Sequence, residues 1–156
     1  MASSTHSLDA IAPLASDKTQ SSLKPRITGF YAVAVLFNLC LVAQVLTVGL
    51  AYFDNPTWWN AHIWLVRGYS GLSLVLLAWV YWIPAPRRVQ TLTLSLPILL
   101  GLQFLTIHTQ LPLPVPLAVL HPLLGFSLFS ASSTLVHRVG HILFPAKDEN
   151  ITTTTG

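Results

Sequence analysis

The stretch ITGFYAVAVLFNLCLVAQVLTVGLAYF, residues 27–53, contains no charged residue. A helix of about 20 apolar residues crosses a hydrocarbon core of about 30 Å, and this run is longer than that. Two further runs have the same character, because residues 55–86 carry Arg67 as their only charge and residues 89–136 carry none. The charge pattern therefore predicts an integral membrane protein.

The composition supports this prediction and excludes several function classes. Charged residues make up 8% of the 156 residues, whereas soluble domains carry roughly 25%. The net charge of +3 gives no reason to expect nucleic-acid binding. The single cysteine, Cys40, excludes an internal disulfide and a cysteine-rich metal site. The sequence has no Gly-rich phosphate loop, HExxH or GxSxG motif, so any activity is expected to be electron transfer at most.

Four helices are predicted, at about 27–52, 58–83, 89–108 and 117–141, forming an all-α, up-down-up-down membrane bundle within residues 24–144. Pro84 and Pro86 cannot continue the second helix. The segment QLPLPVP, residues 110–116, predicts a short extended link. Pro122 falls in the first turns of the fourth helix, where a missing N–H costs little. The polar segments 1–23 and 145–156 are predicted to be disordered tails.

The basic residues predict the orientation, since lysine and arginine favour cytoplasmic loops. With four spans, every basic residue except Arg67 falls on one side of the membrane. Both termini are therefore predicted to be cytoplasmic, in a bacterial inner or thylakoid-type membrane. The basic residues on that side are Lys18, Lys24, Arg26, Arg87, Arg88, Arg138 and Lys147.

Polar residues within the spans cluster in the half of the bundle away from the cytoplasm, here called the outer half. Polar side chains at membrane depth are costly and often functional. The inner halves offer mainly hydroxyl groups, with Asn38 as the exception. The outer half therefore holds the predicted site, whose candidate residues are Gln44, His62, Arg67, Gln103, His108 and His121.

His62 and His121 form the most specific pair, because each lies near the start of a helix on the same side of the membrane. Two histidines facing across a bundle can supply the axial imidazoles of a b-type haem. The predicted cofactor is haem b, a chlorin or a quinone, with these two histidines as iron ligands in the haem case. Gly125 would leave space beside His121, although Leu65 and Val66 leave none beside His62. Each histidine can equally be a hydrogen-bonded interfacial residue.

His108 and Arg67 have less specific predicted roles. His108 could replace either histidine of the pair or supply a proton near a quinone. Arg67 lies about eight residues, or ~12 Å, below the outer interface. Because the predicted spans contain no acidic residue, its counter-charge could come from a ligand or partner. The alternative is that Arg67 snorkels to the interface or binds amides such as Gln44 and Gln103.

Two further patterns concern packing and the inner end. Glycines in the spans are expected to let helices approach closely; they are Gly49, Gly68, Gly71, Gly101 and Gly125. His137 and His141 are four residues apart on one helical face. They could bind a metal, but contact with lipid head groups alongside Arg138 is the favoured interpretation.

Three motifs carry a resemblance to a known family. AHIWLVRGYSGL (61–72), GLQFL (101–105) and VLHPLLGF (119–126) resemble a family of small, uncharacterised four-helix membrane proteins of bacteria. The resemblance implies a histidine near the start of helix two and a His-Pro pair opening helix four, over roughly residues 27–137. The plan is also similar to b-type cytochrome bundles in general, an analogy of fold alone.

Three functions remain open at this stage. The first is cofactor binding in the outer half. The second is a non-catalytic accessory or structural subunit of a larger membrane complex, or a homo-oligomer, in which the histidines are merely interfacial. The third is a small transporter, which is disfavoured because four spans with one charge make a poor aqueous path. The expected partners are the lipid bilayer and other membrane proteins.

Overall fold

The computed structural model describes residues 12–109 and 116–145, with side chains from Leu23 onward. Its elements are α1 (Ala12–Phe53), α2 (Trp58–Val80), α3 (Arg87–His108), a 3₁₀ turn (Leu117–Leu120) and α4 (His121–Leu143). The described residues contain no strand. Four helical segments are long and apolar enough to cross a membrane: Leu23–Phe53, Trp58–Val80, Arg87–His108 and Leu117–Leu143. The predicted all-α four-helix class is therefore confirmed.

Some helix boundaries differ from the prediction. α1 begins at Ala12, earlier than the predicted start near residue 27, and continues through Pro25. α2 ends at Val80, three residues short of the prediction, and α3 begins directly after Pro86. The end of α2 before Pro84 fits the tendency of residues that precede a proline to leave the helical conformation. Predictions for residues 1–11, 110–115 and 146–156 lie outside the described residues.

Each helix packs against its neighbours in the order α1, α2, α3, α4, and α4 closes the bundle against α1. The late part of α1 meets the early part of α2, where Gln44 bonds His62. In the same way Tyr31, in the first third of the segment Leu23–Phe53, packs edge-to-face on Phe144 beyond α4, with ring centroids 6.2 Å apart. At these contacts α1 runs antiparallel to α2 and to α4, and α2 and α4, whose described residues do not contact each other, lie on one diagonal.

The buried core occupies mainly the inner half. Phe37 packs edge-to-face on Tyr69, with centroids 5.5 Å apart. The first buried residue of α2 is Tyr69, eleven residues after its start, and the first of α4 is Leu128. The early parts of α2 and α4 are therefore packed less tightly. They are also the parts that carry His62 and His121.

Two glycines, Gly29 and Gly125, lie where helices approach closely, and only Gly125 was predicted to do so. A side-chain carbon added at Gly29 would meet Trp79 at 3.0 Å, and one at Gly125 would meet the Gln103 amide nitrogen at 2.9 Å. For helices of the same chain the prediction is wrong at four glycines, which have open space where a side chain would lie: Gly49, Gly68, Gly71 and Gly101. Three of these four are exposed on the outside of the bundle. The sequence could not predict this, because glycine carries no information about which face of a helix turns inward.

Leu96→Ala is expected to lower the free energy of unfolding by roughly 2 kcal/mol or more, because truncating a buried leucine leaves a cavity that its neighbours fill only in part. Leu94→Ala is the matched control, since Leu94 is 42% exposed on the same helix and Leu96 is 0% exposed. The control should stay within about 0.5 kcal/mol of the parent. Unfolding in detergent micelles, followed by circular dichroism, measures both changes. Equal losses would show that α3 does not pack through the face that carries Leu96.

Candidate functional site

Gln44 of α1 and His62 of α2 are joined by two hydrogen bonds. The Gln44 amide nitrogen lies 2.9 Å from His62 Nε2 and donates to the His62 backbone carbonyl at 3.2 Å. Both amide hydrogens of Gln44 are therefore directed at His62. The sequence placed these two residues in one outer cluster, and the structure brings them into contact.

Thr47 completes this network and determines which nitrogen of His62 carries the proton. Its hydroxyl donates to the Gln44 carbonyl at 2.8 Å and lies 3.3 Å from His62 Nδ1. Since the single hydroxyl hydrogen is used, Nδ1–H must donate to Thr47 Oγ1. In the neutral ring, Nε2 then accepts from Gln44. The assignment is inferred from the bonding pattern.

One atom of this network has no partner. Gln44 Oε1 is buried and accepts no hydrogen bond from any described residue. A buried acceptor left unpaired costs about 1–3 kcal/mol. A donor brought by a bound molecule would remove that cost.

His121 and Gln103 form the second half of the site. His121 Nδ1 lies 3.3 Å from the Gln103 backbone carbonyl, which can only accept, so Nδ1 carries the hydrogen. His121 Nε2 makes no hydrogen bond with the described residues and offers a lone pair in the neutral ring. The Gln103 amide lies against Gly125, in the space that a larger residue at position 125 would fill. The space predicted beside His121 is thus taken by the chain's own glutamine.

The two halves lie at the same end of the bundle, because the Gln44–His62 bond joins the late part of α1 to the early part of α2, and the His121–Gln103 bond joins the early part of α4 to the late part of α3. The side chains of Gln44, His62, Gln103 and His121 are half-buried. His62 and His121 precede the first fully buried residues of their helices, Tyr69 in α2 and Leu128 in α4. The site is therefore a partly open polar region at the less tightly packed end of the bundle. Its members are Gln44, Thr47, His62, Gln103 and His121, and we call it the outer polar cluster.

Arg67 and His108 are not part of this cluster. Arg67 is exposed, and its guanidinium lies 5.5 Å from the centre of the Trp64 ring, within cation–π range. His108 is exposed and bonds the Phe104 carbonyl of its own helix at 2.8 Å. The interpretation of Arg67 as an inward-facing partner of Gln44 or Gln103 is therefore wrong. Five residues turn a helix by about 140°, so an inward His62 directs Arg67 outward.

The predicted haem ligation requires both Nε2 atoms. His121 has the arrangement of a typical metal ligand, with Nδ1–H held by a backbone carbonyl and Nε2 free. His62 does not, because its Nε2 accepts from Gln44. Gln44 would have to leave before His62 could bind iron. Haem ligation stays a prediction, and this geometry favours a hydrogen-bonded ligand over it.

One member of the site, Thr47, and one neighbour of it, Trp59, were not predicted from the sequence. Thr47 is only 8% exposed and lies three residues after Gln44, so its position on the same helical face was a usable signal. Trp59 packs edge-to-face on His62, with ring centroids 5.6 Å apart.

Comparison with known proteins adds one finding. Residues 44–110 match a family described as "Family of unknown function (DUF6220)". The match covers less than half of the chain and includes Gln44, His62, Arg67 and Gln103, but not His121. No curated protein and no solved structure matches the chain. The expected likeness to a family without established function is thus confirmed, while the bacterial origin and the likeness to cytochromes stay predictions.

Proposed function

We propose that this multi-pass membrane protein binds the head group of a quinol, the reduced form of a lipid-soluble quinone, at the outer polar cluster. The observation that carries the proposal is the buried, unpartnered Gln44 Oε1. In hydrocarbon no water is available to pair with such an oxygen. A ligand with a hydroxyl group supplies the missing donor.

Two acceptors of the cluster can receive hydrogen bonds from a ligand, whereas the remaining donor, the Gln103 side-chain amide, packs against Gly125. Gln44 Oε1 and the lone pair of His121 Nε2 both accept hydrogen bonds, whereas both amide hydrogens of Gln44 already bond His62. A hydroquinone has hydroxyl groups on opposite edges of its ring and can donate at two places. An oxidised quinone has carbonyl groups there and cannot. The proposal therefore specifies preferential binding of the reduced form.

Access favours a lipid-soluble ligand. The cluster lies where α2 and α4 have no fully buried residue, so a flat ring that enters from the bilayer has to part the helices to uncover Gln44 Oε1 but breaks little close packing. Ring-shaped ligands commonly bind between the helices of a bundle, in mostly apolar clefts with a few polar groups that set their orientation. Trp59, beside His62, adds an aromatic face at this position.

The test is a titration of detergent-purified protein with decylubiquinol and, separately, decylubiquinone, followed by tryptophan fluorescence. The quinol should bind more tightly. Gln44→Leu and His121→Phe should each weaken its binding about tenfold, the loss expected for one buried hydrogen bond. Equal affinity for both oxidation states, or unchanged binding in both variants, would contradict the proposal.

Two matched controls separate this site from general partition into the micelle. Gln90→Leu removes a glutamine at the inner end, where it bonds Ala85. His108→Phe removes a histidine at the end of α3 that bonds only its own helix. Both should bind quinol like the parent. Protein made with ample haem supply is also examined by absorption spectroscopy. A Soret band that disappears in His62→Ala and His121→Ala would contradict the quinol proposal and favour haem ligation.

A second function, an accessory subunit of a membrane complex, is favoured by the outward position of Arg67. The described spans carry no acidic side chain to meet it, and Gly68 and Gly71 beside it are open. Small residues let another helix approach closely. A carboxylate from such a helix would neutralise the arginine.

Arg67→Leu is expected to reduce the size of the complex seen on native gels after mild solubilisation, because the inter-subunit charge pair is lost. Arg67→Lys should retain part of it, and Arg88→Leu, at the exposed start of α3, should retain all of it. An unchanged size in Arg67→Leu would show that Arg67 only snorkels to the interface.

The cytoplasmic placement of both termini also remains a proposal, supported by the basic residues on one side. In a Cys40→Ala background, Asn55→Cys should react with an impermeant maleimide on intact cells. Pro84→Cys should react only after lysis. Both positions are exposed in the structure. The reverse labelling pattern would invert the orientation.

A further inference from the structure

Two histidines face each other near the end of α4, on the opposite half of the bundle from the outer polar cluster. His137 and His141 are both exposed, and their Nε2 atoms lie 3.2 Å apart. Their rings are almost perpendicular, with centroids 4.4 Å apart. We propose that this pair binds a divalent transition-metal ion, with Zn²⁺ as the simplest probe.

The separation of the two nitrogens fits one shared ion. Bonds from imidazole nitrogen to zinc are about 2.0–2.1 Å long, so an ion bonded to two nitrogens 3.2 Å apart subtends an angle of roughly 100–106°. Tetrahedral zinc prefers an angle close to this. The two imidazole rings therefore need no large rearrangement to share an ion.

The same distance also permits a direct hydrogen bond between the two rings, which is the competing explanation. That bond uses the hydrogen of one Nε2 and the lone pair of the other. A metal ion instead needs both lone pairs, so each ring must carry its hydrogen on Nδ1. Both rings are exposed and can adopt this form without breaking a bond to another described residue.

The protein supplies only part of the coordination sphere. The described residues contain no group of three or more histidine, cysteine or carboxylate side chains that could hold an ion. Oxygen ligands from water must therefore complete the sphere. A groove of about 420 Å³ provides the room, bordered by Tyr31, Asn38 and Ser133 as well as the two histidines.

Neighbouring charges define which ions can bind. Arg88 and Arg138 line the groove on the other side of the histidines, and their positive charge opposes any cation. A hard ion such as Mg²⁺ or Ca²⁺, which prefers carboxylates, gains nothing here. Ions that bind imidazole strongly overcome the repulsion, and their affinities should follow the order Cu²⁺ over Ni²⁺, with Zn²⁺ below Cu²⁺.

The test is calorimetric titration of the full chain in detergent with Zn²⁺, using protein without a histidine tag. One ion should bind per chain, and Mg²⁺ should not bind. His137→Ala and His141→Ala should each weaken Zn²⁺ binding at least about tenfold, since even the loss of an outer-shell partner costs 10–100-fold. Both positions are exposed, so neither variant should affect folding.

His108→Ala is the matched control, because His108 is exposed, lies near a helix end and lacks a histidine one turn away. It should bind Zn²⁺ like the parent. A melting temperature raised by Zn²⁺ in the parent and control, but not in the two variants, gives an independent readout. Binding that persists in the His137→Ala, His141→Ala double variant, or no saturable binding in the parent, would overturn the proposal and leave only a histidine–histidine hydrogen bond.

Discussion

Hydrocarbon offers no hydrogen-bonding partner, and this constraint governs the outer half of the bundle. The Gln44–His62–Thr47 network is saturated at every atom but one. The Thr47 hydrogen is used by the Gln44 carbonyl, and the His62 Nδ1 hydrogen by Thr47. Reversing the Gln44 amide would place its oxygen against the His62 carbonyl, which now accepts from the nitrogen at 3.2 Å. The unpaired oxygen therefore follows from the network itself and cannot be removed by rotating one neighbour.

The two ends of the bundle are held together in different ways. In the inner half, apolar side chains from all four helices are buried against one another. In the outer half, the inter-helix hydrogen bonds between described residues join α1 to α2 through Gln44, and α3 to α4 through His121. Those bonds stabilise each helical pair but do not join the two pairs. A ligand between the pairs would supply a link that the protein's own outer-half bonds do not.

The sequence predicted the spans well, because lipid imposes a strict rule on charge and on backbone hydrogen bonding. It also predicted that Gln44, His62, Gln103 and His121 lie toward the same end of the bundle. It could not predict which face of a helix turns inward. Thr47 was missed because a threonine hydroxyl can donate to a backbone carbonyl of its own helix at any position, so its type alone does not indicate a site. Four of the glycines were misassigned because glycine suits both a helix interface and an outer face.

Arg67 shows how one orientation decides between two roles. An arginine at the centre of a membrane helix costs about 2.5–3.5 kcal/mol on insertion scales, and a cation–π contact with Trp64 offsets about 0.5–2 kcal/mol. Snorkelling over ~12 Å lowers the remaining insertion cost of the arginine. It leaves the open surface at Gly68 and Gly71 uncovered. A carboxylate on the proposed neighbouring helix would cover it, because small residues let a partner backbone come close enough for a short ion pair. The partner subunit proposed on this face of α2 would account for both the outward arginine and the uncontacted glycines, and it is separate from the ligand proposed for the interior.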